Sequence, residues 1–261
     1  VEFELSATAL RVSHFGTPFS DADIRGICGI GEGTKDLTSI GRFGIGFKSV
    51  YAFTECPEIH SENEHFAIDS FVWPRAIKTT AARPGETVFV FPFRSDDVTA
   101  FDDITSGLRK LGPRALLFLR EIEEISWSVE GGASGLYLRS TPEKLTENTR
   151  KVVIVGEEKG VSEAIEETWL VFSREVRTND GVKAGYVEVA FALGEASAGD
   201  SVSVWPVNDS VLFVFFPTIV TMNLGFLTQG PYRTTPSRDN VPRYDPWNHH
   251  LVRETATLLV E

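Results

Sequence analysis

Ile40-Gly41-Arg42-Phe43-Gly44-Ile45-Gly46-Phe47-Lys48-Ser49 is the stretch on which the reading of this chain turns. Three closely spaced glycines run into Phe43, Phe47, Val50 and Tyr51 at helical spacing, which predicts a helix over Phe43–Phe53. A helix N-terminus exposes unpaired N–H groups and the positive end of the helix dipole, so it attracts phosphate. Glycine lets that backbone approach an oxygen with no Cβ in the way. From the residues alone, the segment reads as an anion-binding loop or as a flexible turn before a core helix. It is not a P-loop, because Lys48-Ser49 follow the glycines at the wrong spacing. Nor does a βαβ unit accompany it, as a dinucleotide fingerprint requires.

Working outward, six glycines fall between Gly29 and Gly46, too many for regular structure throughout. Before them, alternation predicts strands at Val1–Leu5 and Ala9–His14 and a loop at Phe15-Gly16-Thr17-Pro18. Ser20-Asp21-Ala22-Asp23 carries a capping-box signal that opens a short helix over Asp21–Cys28. After the glycines come expected strands at Glu58–Ser61, His65–Asp69 and Thr87–Phe93, and a helix over Asp97–Leu111. A hairpin of Glu121–Glu130 and Gly135–Arg139 follows. Composition shifts at Ser140–Arg150, which sets an expected domain boundary, with residues 1–140 before it and 141–261 after it. The second part offers strands at Val152–Val155, Thr168–Phe172, Tyr186–Ala192, Ser201–Val204 and Val211–Phe215. A Gly- and Pro-rich segment, Gly225–Pro242, then leads to a terminal helix from about Trp247. The expected fold class is α/β, a two-layer α+β sandwich whose mixed sheet carries helices on one face, followed by a smaller α/β domain.

Lys and Arg total 25 against 37 Asp and Glu, a formal charge of −12. That field repels polyanions and argues against sequence-independent nucleic-acid binding. Only Cys28 and Cys56 are present, so no disulfide framework is expected and a reducing, cytoplasmic compartment is the simplest inference. No apolar run is long enough to cross a bilayer, and no secretory leader is visible. His60, His65, His249 and His250 make no recognisable metal set with the two cysteines.

Four segments in order resemble one family. Gly41-Arg42-Phe43-Gly44-Ile45-Gly46-Phe47 resembles the G-[QR]-F-G-x-G-F segment of the GHKL, or Bergerat-fold, ATPases, above all their ninety-kilodalton heat-shock-chaperone and sacsin-like branch. Gly33-Thr34-Lys35 resembles the lid of that site, and Leu10–Gly16 the strand ending in its D-x-G adenine motif. Gly85-Glu86-Thr87-Val88-Phe89 resembles the strand with its adenine-contacting Thr. The resemblance implies a Bergerat-type ATP-binding domain over residues 1–140, with ATP and magnesium as cofactors. It implies nucleotide contacts from His14, Gly16, Gly33, Thr34, Lys35, Gly41, Arg42, Phe43, Gly44, Ile45, Gly46, Phe47 and Thr87. It also implies protein clients and a homodimer.

Three departures bear on adenine recognition. His14 stands where the family has its adenine-reading Asp, Phe15 follows it, and Glu86 replaces the Gly that commonly precedes the Thr. A neutral imidazole can hydrogen-bond a base or its water, though without the two acceptor oxygens of a carboxylate. The alternative is that His14 only ends a strand. The chain opens at Val1 inside a strand-like run, so an upstream segment is expected. In the family that segment is a helix whose Glu activates water and whose Asn holds magnesium. Hydrolysis is therefore expected of the complete protein and not of this chain by itself.

Ser237-Arg238-Asp239 reads as an exposed connection, and it also resembles the S-R-E of the chaperone middle domain, where the Arg reaches the ATP γ-phosphate. A guanidinium suits that work because it donates two parallel hydrogen bonds to phosphate oxygens. Arg238 is the catalytic candidate and Arg233 the reserve. The leading expectation is an ATP-driven conformational module in which the second domain senses the phosphates. The alternative is a degenerate, non-hydrolysing nucleotide-binding or scaffold module. A DNA-processing relative of the gyrase B kind shares the loop but fits the acidic charge poorly.

Overall fold

The computed structural model describes residues 1–29, 46–79, 83–161, 163–195, 202–235 and 239–261. Its N-terminal half sets short strands around a few helices. Strands β1 (Glu2–Leu5) and β2 (Ala9–Phe15) form a tight antiparallel pair. Helix α1 (Asp21–Cys28) starts where the sequence predicts. Ser20 Oγ accepts from Asp23 N at 3.3 Å, and Asp23 Oδ2 accepts from Ser20 N at 2.9 Å, a reciprocal capping box.

The helix expected over Phe43–Phe53 is a 3-10 helix over Phe47–Ala52, while residues 43–45 lie outside the described residues. Ser49 Oγ bonds back to the Gly46 carbonyl at 2.8 Å, competing with an α-type turn, and Ser49 N reaches the same carbonyl. Strands β3 (Glu58–Ser61), β4 (Glu64–Asp69), β5 (Trp73–Ala76) and β6 (Glu86–Pro92) follow. Strand β5 escapes the sequence reading because all four of its residues are exposed, so no burial alternation marks it. Ser70 and Phe71, both at positive φ, turn β4 into β5.

Helix α2 (Ala100–Leu111) begins three residues later than expected. Asp97 Oδ1 instead accepts from the N–H groups of Thr99 and Ala100 and closes the turn before it. A second 3-10 helix, Pro113–Leu116, leads to β7 (Glu124–Val129) and β8 (Ser134–Arg139). Strand β7 is shorter than the expected Glu121–Glu130, and Arg139 donates to the Arg120 and Ile122 carbonyls just before it.

The second half is built from β9 (Glu143–Lys144), β10 (Thr149–Glu158), β11 (Ile165–Arg177), β12 (Lys183–Glu195) and β13 (Val202–Trp205). Strands β14 (Val211–Val214), β15 (Phe216–Thr221) and β16 (Leu227–Gln229) complete it, with helix α3 (Pro246–Val260) at the end. Strand β16 lies inside the Gly- and Pro-rich segment Gly225–Pro242, where no strand is expected from sequence. Three residues are too few to show alternation, yet all three are buried between β12 and β14.

The strands join in one mixed sheet of order β15-β14-β16-β12-β11-β10-β8-β7-β1-β2-β6-β3-β4-β5, with β9 also paired to β10 and β13 to β12. Pairs β1–β7 and β14–β16 are parallel and the others antiparallel. Its hydrogen bonding runs across residues 140–150, because β10 pairs with β8 from Ile154↔Arg139 to Glu158↔Gly135.

In the N-terminal half the helices share one face. Helix α2 packs Phe101, Ile104 and Leu108 on Phe3, Leu5, Trp127 and Tyr137. Helix α1 and the first 3-10 helix pack Ile24, Cys28, Phe47 and Tyr51 on Ile59, Phe66, Ile68 and Phe89. The register carries this face onward through Val152, Ile154, Trp169 and Ala190, which Leu117 and Phe118 cover. Helix α3 lies on the reverse face, where Leu251 meets Val176 and Val187. The chain is thus an α/β fold built on a mixed sheet.

Candidate functional site

Of the thirteen nucleotide-binding residues inferred from sequence, the described residues include His14, Gly16, Gly46, Phe47 and Thr87. Gly33, Thr34, Lys35, Gly41, Arg42, Phe43, Gly44 and Ile45 lie outside them, as does Arg238.

His14 and Thr87 stand directly opposite each other on β2 and β6. Opposed residues of an antiparallel pair project from the same face, here the helix-covered one. His14 stacks on Phe89, two residues along from Thr87, with ring centroids 6.0 Å apart and planes 26° apart. Phe89 also meets Phe19 at 5.9 Å and Phe47 at 6.2 Å. On the next strand Ser61 stands opposite Thr87, and Ser61 Oγ lies 2.7 Å from Thr87 Oγ1. Ser61 Oγ also accepts from Phe19 N at 3.0 Å. The sequence reading missed Ser61; the signal available was a hydroxyl residue closing an otherwise buried strand.

Gly46 and Phe47 begin the 3-10 helix that covers this face. Among the described residues, a Cβ on Gly46 would meet nothing within 4 Å. Lys48 Nζ donates to the Phe71 carbonyl at 2.6 Å and to the Cys28 carbonyl at 3.4 Å. Burial lowers its pKa. The second contact ties the end of α1 to the start of the 3-10 helix, the two flanks of the glycine-rich stretch. Beside Lys48, Tyr51 packs on Phe71 at 4.4 Å, and burial pushes its hydroxyl up to about 12.

The reverse face at this edge is polar. Glu86, paired across the ladder with Phe15, points away from Thr87. Its carboxylate accepts from Arg83 N at 2.8 Å and Arg83 Nη2 at 2.8 Å, and lies 3.5 Å from Arg11 Nη2. Arg83's hydrogen bonds hold it at about 2. The same guanidinium sits 5.1 Å over the Phe15 ring. Arg233, the reserve candidate, is occupied: Nη1 meets Asp245 at 3.2 Å, and its N–H donates to Asn248 at 2.8 Å. Among the described residues no group of three or more His, Cys, Asp or Glu side chains is placed to hold a metal ion. No helix among them is long and apolar enough to cross a membrane.

A second polar cluster crosses the helix-side face at β10–β12. The buried Glu188 accepts from Arg150 Nη1 at 2.9 Å, Ser173 Oγ at 2.8 Å and Arg120 Nη2 at 3.3 Å. Arg120 stacks on Tyr186 with its guanidinium carbon 3.9 Å from the ring centroid. It joins the segment before β7 to the second half of the sheet.

Against known proteins, residues 6–83 match the Sacsin domain family model. Protein NO VEIN of Arabidopsis thaliana is 30% identical over 288 residues, an alignment covering 99% of this chain and 10% of that protein. Human Sacsin is 29% identical over 154 residues, covering 42% of this chain and 3% of that one. The chain therefore spans a tenth or less of the length of either relative. Among solved structures, the B-subunit of the DNA gyrase from Myxococcus xanthus superposes with a TM-score of 0.46 at 12% identity, covering 98% of this chain and 82% of that one. The chain is sacsin-like in sequence over its N-terminal third, on a mixed α/β sheet.

Proposed function

We propose that this chain is the ATP-binding, ATP-driven conformational module of a sacsin-like and chaperone-like GHKL ATPase. The observation that supports it best is the contact between the two flanks of the glycine-rich stretch. Its flanks, Cys28 and Lys48, meet at 3.4 Å beside the face that bears His14, Thr87 and Phe89. A backbone rich in glycine between such anchors suits a phosphate-binding lid, and no described residue crowds Gly46 against an approaching oxygen. In this reading His14 and Thr87 take the base, and Gly16, Gly33, Thr34, Lys35 and residues 41–47 take the sugar and phosphates. Arg238 reports the γ-phosphate to the second domain, residues 141–261. ATP supplies the negative charge that orders the lid, an order–disorder switch of the kind used by other nucleotide proteins. Magnesium enters only with the triphosphate. The module works in the cytoplasm, on protein clients, within a homodimer.

A second reading, a non-hydrolysing nucleotide-binding or scaffold module, draws on two observations. Thr87 is only 1% exposed, and Glu86, the carboxylate next to it, faces away and is fully engaged. Calorimetric titration of magnesium-ATP, with ADP and GTP as comparisons, into the full-length protein tests the first reading. Adenine-selective binding is the expected result. No binding at millimolar nucleotide would leave the scaffold reading in its place.

A further inference from the structure

The hydrogen bonds of Ser61 and Thr87 have a direction. Both side chains are about as buried as the core around them, each residue 1% exposed. A hydroxyl carries one proton and two lone pairs. Their 2.7 Å contact uses one of the two hydroxyl protons and leaves the other over. Ser61 Oγ already accepts from the Phe19 amide at 3.0 Å. Chained hydrogen bonds polarise one another, so an oxygen that accepts becomes a better donor. The Phe19 amide thereby biases Ser61 to donate to Thr87, and the spare proton belongs to Thr87. Because Thr87 stands opposite His14, that proton is delivered on the face where His14 stacks on Phe89.

We propose that Ser61 is a positioning residue that sets base specificity at this site. The relay from Phe19 N–H through Ser61 O–H to Thr87 O–H fixes Thr87 as a donor. A donor set against the N1 edge of a purine takes adenine, whose N1 is an acceptor, and not guanine, whose N1 carries hydrogen. This inference rests on the nucleotide-binding reading above. Ser61 acts on the base only through Thr87. Removing its hydroxyl frees Thr87 to turn its proton back toward the core and present a lone pair instead.

The test is calorimetric titration of the full-length protein with magnesium-ATP and magnesium-GTP, for the wild type, Ser61→Ala and Ser61→Thr, with a thermal melt of each. The wild type is expected to prefer ATP. Ser61→Ala is expected to lose about tenfold in the ATP:GTP affinity ratio, the scale of one neutral hydrogen bond. Ser61→Thr, which keeps the hydroxyl, restores the ratio. An unchanged ratio in Ser61→Ala overturns the proposal, and so does an equal loss in Ser61→Thr. If Ser61→Ala melts before it can be titrated, the comparison moves to Thr87→Ser and Thr87→Val. The first must keep the ratio and the second must lose it, and any other pattern overturns the proposal. A wild type that binds both nucleotides equally also overturns it and leaves the nucleotide reading standing. A wild type that binds neither removes both.

Discussion

Replacing Glu86 by Gln isolates one buried charge at the edge of the site. The Glu86 side chain is 1% exposed and lies beside the Arg83 guanidinium, itself 59% exposed. Its pKa is lowered from an ordinary 4.5 to about 2, with the Arg83 hydrogen bond as the largest cause. At ~1.4 kcal/mol per pKa unit that gap is worth roughly 3 kcal/mol. Solvent screening at the exposed Arg83 reduces it to about 2 kcal/mol. The sign follows from the direction of the shift. The carboxylate is easier to ionise when folded, so its stabilisation is complete above the unfolded value of 4.5 and is lost as pH falls toward about 2. For a chain of this size, about 2 kcal/mol corresponds to roughly 4–8 °C in Tm. Scanning calorimetry and urea unfolding of the wild type and Glu86→Gln, between about pH 7 and pH 3, read it out. The wild type should lead by that margin at neutral pH, and the lead should shrink by roughly half or more at about pH 3. A lead that does not change with pH, or no lead at neutral pH, would refute the reasoning.

Three further outcomes are expected. Gly44→Val with Gly46→Val should abolish ATP binding in calorimetry. At Gly46 the backbone sits at φ −57° with no described residue within 4 Å of a new Cβ, so Gly46→Val alone should leave the melting curve within a few degrees of wild type. Arg238→Ala should spare ATP affinity while removing the ATP-induced compaction seen in small-angle scattering; compaction at the wild-type level would end the sensor assignment. Glu188→Ala should cost about 3–5 kcal/mol in urea unfolding, because it leaves the Arg150 and Arg120 guanidinium groups and Ser173 without their shared acceptor. A loss under about 1 kcal/mol would show those groups finding water instead.

How far the sequence could be read depended on the range of the forces involved. The α1 start was legible because Ser20 and Asp23 cap each other within one turn. The strands Glu58–Ser61 and Val211–Val214 were legible because local alternation and apolar content sufficed. Strands β11 and β12 run to 13 residues each, longer than the expected Thr168–Phe172 and Tyr186–Ala192, because their ends are held by ladder bonds to each other, to β10 and to β13 and leave no apolar pattern. The 3-10 form of Phe47–Ala52 turned on a single Ser49 back-bond. His14 and Thr87 were candidates from a motif resemblance, but the Ser61–Thr87 contact joins residues 26 apart in sequence. Nothing local to either residue announces it.

The same logic separates the three departures from the family pattern, which look equivalent in sequence. Strand alternation puts Phe15 and Glu86 on the reverse face as a cross-strand pair, with Arg83 bound to one and over the other. Their effect is on stability. His14 alone shares the face of Thr87, so base recognition should answer to His14 and not to Glu86. An aspartate there would offer acceptor oxygens only, where the neutral imidazole offers one acceptor and one donor. A charged hydrogen bond to the exocyclic amine of adenine contributes about 1.5–3 kcal/mol, enough for at least a tenfold gain. His14→Asp should therefore raise ATP affinity by about tenfold and leave GTP affinity unchanged. Glu86→Gly should lower the melting temperature and leave the ATP:GTP ratio as it was. Paired titrations with thermal melts distinguish the two roles. If Glu86→Gly moved the ratio as far as His14→Asp, the two faces of β6 would not be the independent surfaces that the ladder makes them.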